Sequence, residues 1–194
     1  MLEQAKKNRY SMLVIKILVF IIIIGVLLMA DGRAKIINLE GKLIYFTDTK
    51  RVNDEVHKMK LANWVFDNSQ KISRGQAKQI VEEAMKCQDP ILVLAIMKPE
   101  SEYNPSAISH MGAKGLGQIM WRVWGKKLIE RGICKEERDL FDPYINIRAI
   151  NYVLIVLSEE QKHPVKTLEA YVGGKEKRYV SDVLITFAQL ALIK

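Results

Sequence analysis

The apolar pattern of this chain is most extreme near its start. From Ile17 to Ala30 the run ILVFIIIIGVLLMA contains no polar side chain, and from Met12 to Ala30 the one charge is Lys16. A helix with no polar face does not lie on the surface of a soluble core, so the segment reads as an export element. Two readings fit it. As an uncleaved anchor, the favoured one, Met12 to Ala30 approaches the ~20 residues that span a bilayer, with Lys16 snorkelling to the cytoplasmic face. As a cleaved signal peptide, Ile17 to Ala30 is the apolar region, and Gly32-Arg33-Ala34 offers small residues to a peptidase. Lys6, Lys7 and Arg9 ahead of the run predict a cytoplasmic N-terminus, with the remainder outside the membrane.

Beyond it the pattern turns helical. Ile36-Ile37-Asn38-Leu39 and Leu43-Ile44-Tyr45-Phe46 flank Glu40-Gly41-Lys42 and predict a short hairpin within a linker. Val52, Val56, Met59, Ala62 (or Asn63) and Phe66 recur at three- and four-residue spacing and predict an amphipathic helix over 51–68. Ser73 with Gln76 forms a capping-box start for a helix running to about Lys86. Asp89-Pro90 starts a third helix, whose Ile91 to Met97 is apolar all round and so belongs in the middle of a core. Asn104-Pro105 ends it, and a glycine-punctuated stretch leads to further predicted helices at about 118–131, 143–158, 164–172 and 176–193. The fold class is therefore mainly α. The predicted organisation is a basic flank and anchor or signal at 1–34, a linker with a hairpin at 35–50, and one folded domain at 51–194.

Composition narrows the partners. The chain has 194 residues, 49% of them apolar, and a net charge of +8, which suits a polyanion: nucleic acid, an anionic membrane surface or an acidic wall polymer. Export disfavours nucleic acid, and part of the excess charge sits in the N-terminal flank. Cys87 and Cys134 lack CxxC spacing, and His57, His110 and His163 are not near them in sequence, so no metal site is expected. An exported compartment permits a Cys87 to Cys134 disulfide, and two buried free thiols satisfy the sequence equally.

The chemistry is concentrated between Pro99 and Met120, in PESEYNPSAISHMGAKGLGQIM. Glu100 closes an apolar helix, where desolvation raises a carboxyl pKa and keeps a proton available to a general acid near neutral pH. The glycines do not form a phosphate loop: GAKGLGQ lacks the terminal Gly-Lys-Ser/Thr and follows no strand.

This stretch resembles the signature of lytic transglycosylases with a goose-type-lysozyme-like domain: Glu-Ser, an aromatic, Asn-Pro, a Ser, then Gly-Ala-x-Gly-Leu-x-Gln-Ile-Met. Asp139-Leu140-Phe141-Asp142-Pro143 with Asn146-Ile147 and Tyr152, and later Ala170-Tyr171-Val172-Gly173-Gly174 with Tyr179-Val180, are similar to the family's later segments. The likeness covers about residues 75–185. It implies a lysozyme-like α domain that cleaves the β-1,4 bond between N-acetylmuramic acid and N-acetylglucosamine, with Glu100 as the single acid/base and a 1,6-anhydro product. It implies that Ser109, Gln118 and Met120 line the sugar cleft and that Tyr171 faces Glu100. No cofactor is called for. The implied partners are peptidoglycan strands, the cytoplasmic membrane through the N-terminal helix, and an envelope-spanning complex, at a periplasmic or other extracytoplasmic site.

Two residues depart from the family pattern. Val172 stands where Asn is common, and Pro99, just before the acid, lacks the N–H that would bond back one turn and is expected to kink the helix end. A hydrolytic lysozyme-like enzyme would need a second carboxylate, for which Glu102, Asp139 and Asp142 are the candidates. A catalytically weak scaffold that binds peptidoglycan through the same cleft is the remaining alternative.

Overall fold

The computed structural model describes residues 35–37, 43–45 and 49–193. The apolar run at 12–30 and the small residues at 32–34 lie outside the described residues. Among the described residues no helix is long and apolar enough to cross a membrane. The chain divides into two compact units between Val56 and His57.

The first unit contains the expected hairpin, shorter than its apolar pattern. Strands β1 (Lys35–Ile37) and β2 (Leu43–Tyr45) pair antiparallel with Ile36 opposite Ile44. Helix α1 (Thr49–Asp67) crosses the boundary between the units. Its apolar face differs from the sequence expectation: Val52, Val56 and Met59 are exposed, while Leu61, Ala62 and Val65 are buried. Spacing alone identifies an apolar stripe, but only the last turns of α1 carry residues that join the core.

The second unit is helical throughout its regular elements. Helix α2 (Arg74–Ala84) starts at the expected capping box, with Ser73 Oγ accepting from the Gln76 N–H at 3.2 Å and Gln76 Oε1 accepting from the Ser73 N–H at 2.9 Å. Helix α3 (Pro90–Ser101) starts with Asp89 Oδ1 accepting from the Leu92 N–H at 3.0 Å. Its Val93 to Met97 are completely buried. Withdrawing Val93, Leu94, Ile96 and Met97 from water contributes on the order of 1.5–3 kcal/mol each, which makes α3 the axis of the core. Helix α4 (Trp121–Glu130) and a 3-10 turn (Glu137–Phe141) lead to α5 (Pro143–Gln161), which begins where Asp142 accepts from the Tyr144 and Ile145 N–H groups. Helices α6 (Pro164–Val172) and α7 (Lys177–Ala191) complete the body, and α3 packs most extensively against α7.

One buried carboxylate ties α2 to α5. Burial pushes the pKa of Glu83 up, but Lys86 Nζ at 2.6 Å and Arg148 Nε at 2.7 Å outweigh it and hold the group below the usual carboxylate range. Of the two readings for the cysteines, the structure has free thiols at both Cys87 and Cys134, and burial raises each to about 11.

The loop between α3 and α4 is pinned by Asn146, a fully buried residue in the first turns of α5. Its Oδ1 accepts from the Gly117 N–H at 2.9 Å, and its Nδ2 donates to Leu140 O at 2.7 Å and Lys114 O at 3.0 Å. Gly115 has φ +75°, and a Cβ there would strike Asn146 and the Leu140 carbonyl; one on Gly117 would strike Ile150. The glycines of the loop are thus needed because α5 lies against its backbone. Removing the amide leaves the Gly117 N–H and the Leu140 C=O without this partner, at a cost of order 1–3 kcal/mol for each that stays dry, while Lys114 O keeps its bond from the Ile119 N–H. Asn146→Ala is accordingly expected to destabilise the chain by roughly 3 kcal/mol or more, measurable as a lowered midpoint in chemical denaturation of the full chain.

Candidate active site

Glu100 is the next-to-last residue of α3, so the apolar helix that forms the core axis also delivers its carboxyl. Pro99 does not end the helix, which continues to Ser101. Ser101 Oγ donates to Leu116 O at 2.7 Å and joins the helix end to the pinned loop. The chain then leaves α3 through two consecutive non-glycine residues in the left-handed region, Glu102 at φ 52° and Tyr103 at φ 61°. Each costs about 1–2 kcal/mol. The side chain of Tyr103 offsets part of this cost: it is fully buried, its hydroxyl donates to Leu94 O at 3.1 Å, and its ring meets that of Trp64 edge to face at 6.2 Å. The position of Glu100 is therefore set by packing on both sides of it.

Burial raises the Glu100 pKa to about 7, a neighbouring Tyr179 hydroxyl pulls it down, and the negative charge of Glu176 pushes it further up. The Tyr179 hydroxyl is buried and has no partner apart from the Glu100 carboxyl beside it. Tyr171 is different. Its hydroxyl donates to Gly117 O at 2.8 Å, so that proton is committed, and toward the nearby acid it offers lone pairs, which suit a protonated carboxyl.

Two grooves open at these tyrosines, and Glu100 itself lines neither. One, of about 650 Å³, is lined by Met111, Met120, Trp124, Tyr171 and Val172 among others. The second, of about 530 Å³, includes Pro99, Glu176, Tyr179 and Asp182. Tyr171 faces the first and Tyr179 the second, and the carboxyl of Glu100 interacts with both tyrosines.

Among the residues singled out in the sequence, the structure brings Glu100, Met120 and Tyr171 to this region. Ser109 and Gln118 spend their side chains on the loop itself. Ser109 Oγ accepts from the Ala113 N–H at 3.0 Å. Gln118, at φ 50°, donates from Nε2 to Gly115 O at 3.0 Å and Ala107 O at 3.3 Å. Val172 supplies apolar wall to the first groove at the place of the family's amide. The three candidate second carboxylates are engaged elsewhere or exposed. Asp139 accepts from the Lys135 and Glu136 N–H groups, Asp142 caps α5, and Glu102 is an exposed helix cap. Glu176, which the sequence reading passed over, is the carboxylate whose charge reaches Glu100. Tyr179 had been noted only as part of a motif; its burial beside the acid is a property of the α3–α7 packing.

The helical body thus holds a half-buried carboxyl at the end of its core helix, next to two tyrosines that each line a groove. The model of the Transglycosylase SLT domain matches residues 79–181, more than half of the chain, and the chain belongs to that family. It is similar to the membrane-bound lytic murein transglycosylase C of Actinobacillus pleuropneumoniae serotype 5b (strain L20), 33% identical over 94 residues, 47% of this chain and 24% of the relative. The protein of the same name from Mannheimia succiniciproducens is 40% identical over 75 residues, 37% of this chain and 21% of the relative. The matches thus span about a quarter of the length of these curated relatives. The X-ray structure of an inactive mutant of the lytic transglycosylase Slt from Pseudomonas aeruginosa shares the fold, with a TM-score of 0.51 at 22% identity over 58% of this chain and 23% of that one.

The raised pKa has a thermodynamic consequence. Because the folded protein binds the Glu100 proton more tightly than the unfolded chain does, the site carries no penalty below about pH 4.5. Stability is then lost as the pH rises toward 7, by a total of about 3 kcal/mol. Glu100→Gln, which never ionises, should match the wild type near pH 4 and become more stable than it at pH 8, and thermal unfolding of both across this range measures the difference.

Proposed function

We propose that this chain is a peptidoglycan lytic transglycosylase, that Glu100 is its single acid/base, and that its N-terminal apolar segment holds it at the outer face of the cytoplasmic membrane. The observation that carries the reading is the half-buried Glu100 carboxyl at the end of the core helix, its pKa raised to about 7, next to two tyrosines that each line a groove. Family membership and the similarity to membrane-bound lytic murein transglycosylases support the substrate. An envelope-spanning machine that needs a local opening in the wall is the partner this reading anticipates.

In the reaction, protonated Glu100 donates to the glycosidic oxygen as the bond from that oxygen to muramoyl C1 breaks. The resulting carboxylate removes the proton of the C6 hydroxyl, whose oxygen closes on C1. Atoms balance without water, and the acid is regenerated at the end. Tyr179, with its hydroxyl beside the acid, stabilises the carboxylate form that exists between the two proton transfers, and Tyr171 offers an acceptor to the protonated form. Met120 and Val172 present apolar surface to the sugar, while Ser109 and Gln118 shape the loop that forms one wall.

One observation favours a second reading. Glu176 lies close enough to raise the Glu100 pKa, and a second carboxylate facing the first is what a hydrolytic glycosidase uses to activate water or form a covalent intermediate.

Incubating the full chain with purified peptidoglycan and analysing the fragments by mass spectrometry separates the readings. Anhydro ends are expected; reducing ends would assign hydrolysis, and wall binding without fragments would leave a scaffold. Glu100→Gln is expected to lower the rate by roughly 10²- to 10⁴-fold. The wild-type rate should fall about tenfold per unit above pH 7 as the acid ionises. Tyr179→Phe, which removes an interaction that lowers the Glu100 pKa, should move that descending limb to higher pH, and Glu176→Gln should move it to lower pH.

A further inference from the structure

Helix α1 carries an apolar stripe that its own core does not use. Val52, Val56 and Met59 are 43%, 37% and 58% exposed, whereas Leu61 and Val65 of the same helix are completely buried. At about 100° per residue the three exposed side chains fall within roughly 60° of one another, and Leu61 stands about 180° from Val52. The stripe is closed off further along the helix, where Arg74 donates to Asn63 Oδ1 at 3.2 Å and lays its guanidinium over the Phe66 ring at 4.3 Å. A helix that packs on a core or lies in a membrane interface shows an apolar face of roughly 100° or more. The open stripe of α1 is narrower and has the width of a coiled-coil seam.

The spacing has that form as well. Val52, Val56 and Met59 take successive d, a and d positions, with Asn63 at the next a, and a β-branched residue such as Val56 at a favours two strands. In this register Glu55 falls at g and Lys60 at the following e, and both are exposed. Parallel pairing sets Glu55 of one copy against Lys60 of the other, twice by symmetry, while antiparallel pairing opposes g to g and e to e and brings these charges no such match. We propose that α1 is the parallel seam of a homodimer formed by two copies of this chain held in one membrane. The proposal rests on the anchor part of the reading above, because two chains inserted with the same orientation run parallel. A seam this short buries far less than the roughly 800 Å² per partner of a standard soluble complex, so it needs the raised effective concentration of a shared membrane.

Oxidative cross-linking in vesicles tests the seam. The full chain is reconstituted in phosphatidylcholine and phosphatidylglycerol vesicles, floated on a density gradient and treated with copper phenanthroline. Val52→Cys and Met59→Cys are each expected to give a disulfide-linked dimer. Asp54→Cys, on the opposite side of the helix, and the wild type, whose two thiols are raised to about 11 by burial, should give none. Lys60→Glu sets acid against acid and should lower the yield roughly three- to tenfold, and adding Glu55→Lys should restore it. Val56→Glu should abolish linking without moving the denaturation midpoint of the detergent-dispersed chain, since Val56 lies outside the core. Chains that float but do not link through position 52 or 59, that link equally through position 54, or that are indifferent to Lys60→Glu overturn the dimer and leave the anchor standing. Chains that fail to float overturn the anchor and the membrane-held dimer together.

Discussion

The site depends on the peptide of Gly117, which is bound on both sides. Its N–H donates to Asn146 Oδ1 and its C=O accepts from the Tyr171 hydroxyl. These two bonds connect the start of α5, the loop after α3 and the end of α6. They orient Tyr171, whose hydroxyl proton is committed to Gly117 O. The same amide of Asn146 holds Leu140 O and Lys114 O, so three backbone groups of two segments share a single buried side chain. Buried polar groups of this kind are stable only when every partner is present, and the close approach leaves no room for a Cβ at Gly115 or Gly117.

Around that clamp the domain gives up stability where the site is built. A carboxyl with a pKa near 7 is a group the fold would hold more cheaply as an amide, and two consecutive left-handed residues follow it. The surrounding structure tolerates both because α3 has a fully buried apolar run just ahead of Glu100 and Tyr103 is a completely buried anchor just behind it. Strain and desolvation are concentrated where Glu100 needs a fixed position and a retained proton, and regular packing elsewhere offsets them.

Much of the helical framework was legible because its signals are local. The Ser73–Gln76 capping box, Asp89 and Asp142 as N-caps followed by proline, and the unbroken apolar stretch of α3 each act within one or two turns, and each appears where the spacing placed it. The face of α1 was misread at Val52, Val56 and Met59, since periodicity reports which residues share a stripe but not whether another element covers it. Glu100 stood out because a helix end and an apolar run are both visible in sequence.

The residues around the acid were legible to different degrees for the same reason. Ser109 and Gln118 belong to a recognisable motif, yet their side chains bond to the backbone of their own loop, a use that spacing does not distinguish from facing a ligand. Tyr179 and Glu176 lie more than seventy residues from Glu100 and meet it only through the packing of α7 on α3. By itself, then, the sequence determined a mainly helical domain, its caps and the presence of a carboxyl at the end of its most apolar helix, all of which follow from interactions between near neighbours in the chain. The proton affinity of that carboxyl, the partners of Tyr171 and the placement of the Tyr179 hydroxyl beside Glu100 were decided by tertiary structure alone, because desolvation and charge act through space between segments that the sequence keeps apart.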